Sequence, residues 1–188
     1  DGEVTVNGSG GVPSYEYSID GVNFQTSNVF PGLTQGPYLL VVRDINGCTT
    51  QTSVTLSQPS LALSASLIAI SDFNGFGVRC NGDSDGTATA QGSGGTPNYT
   101  YSWNTNPVQT TAQASSLPEG NFICSITDNN GCLETTSVTI TQPLNPLLPT
   151  STPSNFNGSG VSCFGDSNGT ATAVAIGGVP NYTYSWNT

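Results

Sequence analysis

From residue 61 to residue 144, apolar and polar positions alternate in short runs, each closed by Gly, Pro, Asn or Asp. Alternation at period two puts every second side chain on one face of a strand, and the punctuating residues supply the turns. Residues 61–70 (LALSASLIAI) predict a first strand, followed by a Gly/Asn/Asp-rich loop to Gly86. Residues 87–91 (TATAQ) predict a second, with Ala88 and Ala90 inward. After the turn GSGGTPN, residues 99–103 (YTYSW) predict a third, with Tyr99, Tyr101 and Trp103 on one face. Residues 109–117 give a weaker strand ending at Leu117. Residues 121–127 (NFICSIT) turn Phe122, Cys124 and Ile126 inward, and the Asn-Gly of Asp128-Asn129-Asn130-Gly131 closes a hairpin. Residues 133–141 return with Val138 and Ile140 inward, and Gln142-Pro143 ends the run because Pro cannot donate to a ladder. No long segment carries a 3.6-residue apolar period, and Thr, Ser, Asn and Gly fill the polar positions, so helix is not expected.

The pattern repeats. Residues 80–105 and 163–188 are identical at 20 of 26 positions, at an offset of 83. Asp44-Ile45-Asn46-Gly47-Cys48 returns as Asp128-Asn129-Asn130-Gly131-Cys132, and Gln58-Pro59 as Gln142-Pro143, each 84 positions on. Gly10-Gly11-Val12-Pro13 matches Gly94-Gly95-Thr96-Pro97 at the same offset, and Val4 and Val6 match Ala88 and Ala90. A period of about 84 residues is too long for a solenoid coil and suits an autonomous seven-strand β-sandwich. The expected architecture is all-β, with tandem immunoglobulin-like β-sandwich repeats of about 84 residues. Residues 1–60 are a partial repeat lacking its N-terminal part, 61–144 a complete one, and 145–188 a partial one lacking its C-terminal part. A longer array is expected on both sides. Trp103 takes the place of the third-strand Trp of an immunoglobulin-like sandwich, where the first repeat has Ile19. Gly36-Pro37-Tyr38 resembles a tyrosine corner, where the middle repeat has Phe122.

Composition narrows the function. Charged residues are 7% of the 188, and net charge is −10 with Arg43 and Arg79 the only Lys or Arg side chains. Nothing basic is available to neutralise phosphates, so nucleic acid and anionic lipid are not expected partners. With no His, neither the usual general base nor a Ser-His-Asp or Cys-His system can be built. No run of 18 apolar residues occurs, so membrane insertion by this segment is not expected. A surface of Ser, Thr, Asn, Gln and Gly, with negative net charge, suits an extracellular protein.

Five cysteines sort by the repeat. Cys80 matches Cys163 and Cys48 matches Cys132, whereas Cys124 matches Leu40 and reads as a small core hydrophobe. Two recurrent positions per repeat, Cys80/Cys163 and Cys48/Cys132, suggest a disulfide, within a repeat or between neighbours. Closing the 52 residues from Cys80 to Cys132 would stabilise by about 4 kcal/mol in the chain-entropy model. Zinc is not expected without CxxC or His. Asn81, Asp83 and Asp85 stand at the alternate positions that open a calcium loop, but Gly92 occupies the place of the closing Glu and Phe164 replaces Asn81 in the third repeat. A plain Asx/Gly turn is the stronger reading, and no cofactor is expected. Tyr101, Trp103, Phe122, Cys124 and Ile126 read as core. A carbohydrate-stacking role would need exposed rings, and alternation turns these inward. Phe73, Phe76, Phe156 and Phe164 are the loop aromatics left for such a role. Paired carboxylates recur only at Asp44/Asp128 and Asp83/Asp166, in a turn and a loop without a substrate-shaped pocket, so an enzyme is not expected.

The segments CNGDSDGTATA, GGTPNYTYSWNT, LPEGNFICSITDNNGC and SVTITQP together resemble the SprB-type repeat of giant gliding adhesins on the surface of Bacteroidetes-group bacteria. YSIDGVNFQTSNVFPGLTQGPYLLVVRDINGC is similar to a variant repeat of the same adhesins. The resemblance implies a large protein exported by type IX secretion, attached at the outer membrane and displayed as filaments. Motility and secretion machinery of the envelope would engage other parts of the full chain, and the array would meet an extracellular surface or polysaccharide. Glycan-binding or spacer modules of a secreted polysaccharide-degrading enzyme are the alternative.

Overall fold

The computed structural model describes residues 1–187, and the described residues form strands, turns and loops without a helix. The chain divides into two compact units, Asp1–Ser60 and Leu61–Thr188. The first holds β1 (Gly2–Thr5), β2 (Glu16–Ser18), β3 (Val29–Leu33), β4 (Gly36–Arg43) and β5 (Thr49–Leu56). The second holds β6 (Ser64–Ile70), β7 (Gly86–Ser93), β8 (Thr100–Trp103), β9 (Gln113–Leu117), β10 (Gly120–Thr127), β11 (Leu133–Ile140), β12 (Leu148–Pro153) and β13 (Ala171–Ile176).

Strands β6 to β11 make a sandwich of two three-stranded antiparallel sheets, ordered β6-β7-β9 and β11-β10-β8. Its core takes Ala88, Ala90, Ala114 and Leu117 from one sheet and Trp103, Cys124, Ile126, Val138 and Ile140 from the other, with Val78 between them. Tyr99, Tyr101 and Phe122 are half-buried against that core, on the face that alternation assigns them. Trp103 is 1% exposed, and its indole N–H donates to the Thr111 carbonyl at 3.0 Å, so its polar edge is satisfied inside the sandwich. Burying an indole of ~200 Å² is worth about 5 kcal/mol at ~25 cal/mol per Å², before the entropy of ordering is subtracted. The first unit repeats the plan with β1-β3 and β2-β4-β5. Its own core is Val4, Val6, Tyr17, Phe30 and Leu40. Each core is drawn from a single unit, and the fold is a tandem of immunoglobulin-like β-sandwich repeats.

Two details differ from the expected pattern. The complete repeat has six strands, not seven. Between β8 and β9 the chain contains Pro107, which has no N–H to give a ladder. That stretch is held instead by Trp103 N–H to Gln109 O at 2.9 Å and Gln109 N–H to Thr105 Oγ1 at 3.0 Å. The first strand begins at Ser64 rather than Leu61, because Leu61 O is used by the amide of Gly95 at 2.8 Å, outside the ladder. The tyrosine corner is present: Tyr38 Oη donates to Thr34 O at 2.9 Å.

Candidate functional site

A repeat joined to chain at both ends has two poles, one where the chain enters and one where it leaves. In the middle repeat these are opposite. Strand β6 starts beside the end of β7, with Ser64 opposite Ser93, and strand β11 finishes with Ile140 opposite Gly120. The entry pole therefore carries the Gly94-Gly95-Thr96-Pro97 turn and the β10–β11 hairpin turn. The exit pole carries the loop from Asp72 to Asp85 and the Gln142-Pro143 exit.

At the entry pole the Asp128 carboxylate accepts three backbone N–H groups: Thr96 at 2.8 Å, Asn130 at 2.9 Å and Cys132 at 2.9 Å. One carboxylate thus closes its own hairpin turn and ties it to the Gly-Gly turn. The amide of Thr96, foremost of these donors, holds the carboxyl below its ordinary range, with Cys132 and Asn130 adding to it and desolvation opposing. Asp44 does the same in the first unit, accepting from Val12 at 3.1 Å, Asn46 at 3.0 Å and Cys48 at 2.9 Å, and is likewise lowered, first by Val12. A second tie joins each Gly-Gly turn to the tyrosine that follows it. Tyr15 Oη donates to Gly10 O at 2.7 Å, Tyr99 Oη to Gly94 O at 2.7 Å, and Tyr182 Oη to Gly177 O at 2.5 Å. The two most repeated stretches of sequence, Gly-Gly-x-Pro-x-Tyr and Asp-x-Asn-Gly-Cys, are two halves of one clamp. Recurrence of Asp44 and Asp128 was visible in the sequence. Their partner 32 positions upstream was not, because nothing local marks it.

At the exit pole, Asn81 Nδ2 donates to Pro143 O at 2.8 Å and to Leu144 O at 3.4 Å, and Gly82 N–H donates to Gln142 Oε1 at 2.7 Å. Pro143 is fully buried. The next repeat starts at once: Gly178 N–H donates to Asn145 O at 2.8 Å, as Gly95 does to Leu61. Asn81 is thereby a clasp on the departing chain. Asp85 takes the amide of Arg79 at 3.2 Å and stands 3.4 Å from its guanidinium. The third repeat makes the same bond from Ser162 N–H to neutral Asn168 Oδ1 at 3.1 Å, so the contact needs an oxygen but no charge. Among the described residues no group of three His, Cys, Asp or Glu is placed to hold a metal.

Cys48, Cys80, Cys132 and Cys163 are all exposed and unpaired, and Cys124 is buried and unpaired. Burial pushes the Cys124 thiol up. The Cys80 thiol is also raised, by desolvation first and then by Asp83 and Asp85, whose charges oppose a thiolate. A bridge within the repeat, one of the two pairings the spacing allowed, does not form. Cys80 is at the exit pole and Cys132 at the entry pole. Eight paired residues of β10 and β11 separate them, roughly 23 Å at ~3.3 Å per residue, against a Cα separation of at most ~7 Å for a disulfide. Of the loop aromatics, Phe73 lies under the Arg79 guanidinium at 4.9 Å and Phe76 is half-buried, while Phe156 and Phe164 are exposed.

A family model described as the SprB repeat matches residues 1–24, 78–108 and 156–188. The matches at 78–108 and 156–188 take in part of the exit-pole loop and the Gly-Gly turn of their repeats, and the match at 1–24 takes in the Gly-Gly turn. No curated protein matches the chain. Among solved structures, one described as the structure of the amphioxus IgVJ-C2 molecule is similar at 14% identity, with 75% of this chain and 96% of that chain covered and a TM-score of 0.32.

Proposed function

We propose, for a chain that carries the SprB repeat at three places, that it is a length of stalk in a surface-displayed gliding adhesin. The SprB repeat belongs to an adhesin-like, cell-surface repeat family associated with gliding motility. The observation that carries the proposal is the middle repeat, which has a core of its own and takes its chain in at one pole and out at the other. Repeats so built stack in series and extend with number. The clasped exit at Gln142 and the buried Pro143 fix the direction in which the chain departs. A load applied between Leu61 and Pro143 runs along the strands. It pulls β6 against β7 in shear, where the ladder bonds share the force instead of breaking one at a time. Contact with an extracellular surface or polysaccharide belongs to the same proposal, as do outer-membrane attachment and export by type IX secretion, which involve other parts of the full protein.

Single-molecule stretching of the chain tests the reading. Each complete repeat should open in one event that frees about 270 Å, from 84 residues at ~3.6 Å less the folded length. A smooth extension without events would overturn it. The glycan-binding alternative has one feature in its favour, a groove on the first unit lined by Tyr15, Glu16, Arg43, Asp44 and Asn46. Its ring and charges are already engaged, Tyr15 with Gly10 and Arg43 with Glu16 and the Phe24 face. Saturable binding of a defined oligosaccharide by residues 1–60 would favour that alternative over the stalk.

A further inference from the structure

We infer that the exposed cysteines are partners across a repeat junction: the exit-pole cysteine of one repeat bonds the hairpin-turn cysteine of the repeat that follows. The inference rests on the serial arrangement proposed above. Cys80 adjoins Asn81, whose side chain holds the carbonyls of Pro143 and Leu144, the last residues of its repeat. On the far side of the junction, Gly178 is bonded to Asn145, the first residue of the next repeat. In the middle repeat the residue after that glycine, Thr96, is held by Asp128 of the hairpin turn that carries Cys132. Val179 occupies the same place in the third repeat. By the same bonds the turn that completes the third repeat would pack on residues 178–179, of which Gly178 bonds the first residue after the junction, while Cys80 is the chain neighbour of Asn81, which bonds the last residues before it. Within a repeat the two thiols are at opposite poles, and across a junction they are at the same one.

The register explains why all four exposed thiols are free here. At the 83-residue offset of the third repeat, the turn cysteine that would follow lies 135 positions after Cys80 and beyond residue 188. Cys163 needs a partner further on, and Cys48 and Cys132 need partners before residue 1. The chemistry is ordinary thiol–disulfide exchange: two thiols lose two protons and two electrons and form one S–S bond. The electrons reduce the disulfide of an exchanging oxidant, a protein dithiol oxidant or oxidised glutathione, to two thiols. Linked this way, each junction is crossed twice, once by the backbone and once by sulfur, and the bridge spans the point where a stalk of separate cores is weakest.

The test completes the third repeat by adding a copy of residues 106–144 after Thr188, which supplies one further turn cysteine and one further core cysteine, the copy of Cys124. The extended chain is equilibrated with oxidised and reduced glutathione, its fold is followed by near-UV circular dichroism, and its thiols are counted. The expected count falls from seven (the five here and the two added) to five, and peptic peptides show Cys80 joined to a hairpin-turn cysteine. Cys80→Ser should keep its six remaining thiols, whereas Cys48→Ser and Cys132→Ser should each still lose two. Seven thiols retained, or a Cys132→Ser chain that keeps its six, overturns the inference. The native full-length protein, alkylated at lysis and digested without reductant, should yield the same cross-junction peptide, and its absence there would also overturn the inference. Stretching the reduced chain keeps the two readings apart, since one event per repeat without a bridge leaves the stalk standing and removes only the disulfide.

Discussion

Residues 80–105 and 163–188 are nearly the same sequence in two settings. In the middle repeat, Thr100–Trp103 forms β8 against β10, and Trp103 is 1% exposed. In the third repeat the matching residues form no strand, and Trp186 is 52% exposed. Other parts form in both. Strand β13 pairs with β12 over six residues, as β7 does with β6, and the Tyr182–Gly177 tie matches Tyr99–Gly94. The difference is the hairpin β10–β11, which the third repeat does not have within this chain. Alternation decides which face a side chain takes. The β8 strand and its indole are decided by the partner strand, some twenty residues later.

The comparison breaks hardest at the two tryptophans. Trp103→Ala should cost the middle repeat ~3–5 kcal/mol, since it removes a fully enclosed indole and leaves a cavity. Trp186→Ala, on a half-exposed ring, should change stability by less than ~0.5 kcal/mol. Urea unfolding followed by hydrogen exchange on β10 measures both. Equal effects would mean that the third repeat already buries its ring.

The next contrast is between equivalent glycines. Gly94 has φ +70° and Gly10 has φ +78°, so a Cβ at either costs ~1–2 kcal/mol from the left-handed backbone alone. At Gly94 the added carbon also collides with the carbonyl of Ala62 as the chain enters, while at Gly10 nothing lies within 4 Å. Gly94→Ala should therefore exceed Gly10→Ala, measured as the fall in denaturant midpoint of each unit. Comparable losses would show that the entering chain does not press on the turn.

These contrasts also mark what the sequence makes legible. Alternation placed Ala88, Ala90, Trp103, Cys124, Ile126, Val138 and Ile140 in the core, because period two is a property of the strand itself. Asn130-Gly131 announced its turn for a similarly local reason. The Asp128–Thr96 and Asn81–Pro143 bonds were not legible, since each joins residues distant in sequence through a single side chain. The pole on which each cysteine stands was also hidden. It depends on which way each strand runs, so Cys80 and Cys132 could be paired on paper though a strand's length parts them.

A smaller contrast is set by pH. Asp128 and Asp44 titrate below their ordinary range when folded. A carboxylate with a depressed folded pKa contributes stability that is full above its unfolded value of ~3.9 and is lost as pH falls through the folded value. Both units should hold constant stability from neutral pH to about 5 and weaken below ~4. Asp128→Asn should lower stability at pH 7 and flatten the acid limb of the second unit while leaving that of the first. Chemical denaturation at a series of pH values, read separately for each unit, decides it, and an unchanged acid limb would remove Asp128 from the clamp.

The smallest effect belongs to the tyrosine tie. Tyr99→Phe keeps the ring against the core and removes only the bond to Gly94 O, at a cost of about 1 kcal/mol. Tyr182→Phe removes the same bond where no described residue of the third repeat is fully buried, so less cooperative structure depends on it. Its cost should be confined to local exchange at Gly177 and Gly178, without a shift of any global midpoint. If both changes move a global midpoint equally, the third repeat is already folded as a cooperative body. The hairpin would then be a cover laid over a finished sheet. If only Tyr99→Phe does, the hairpin is what turns two paired strands and a tied turn into a domain.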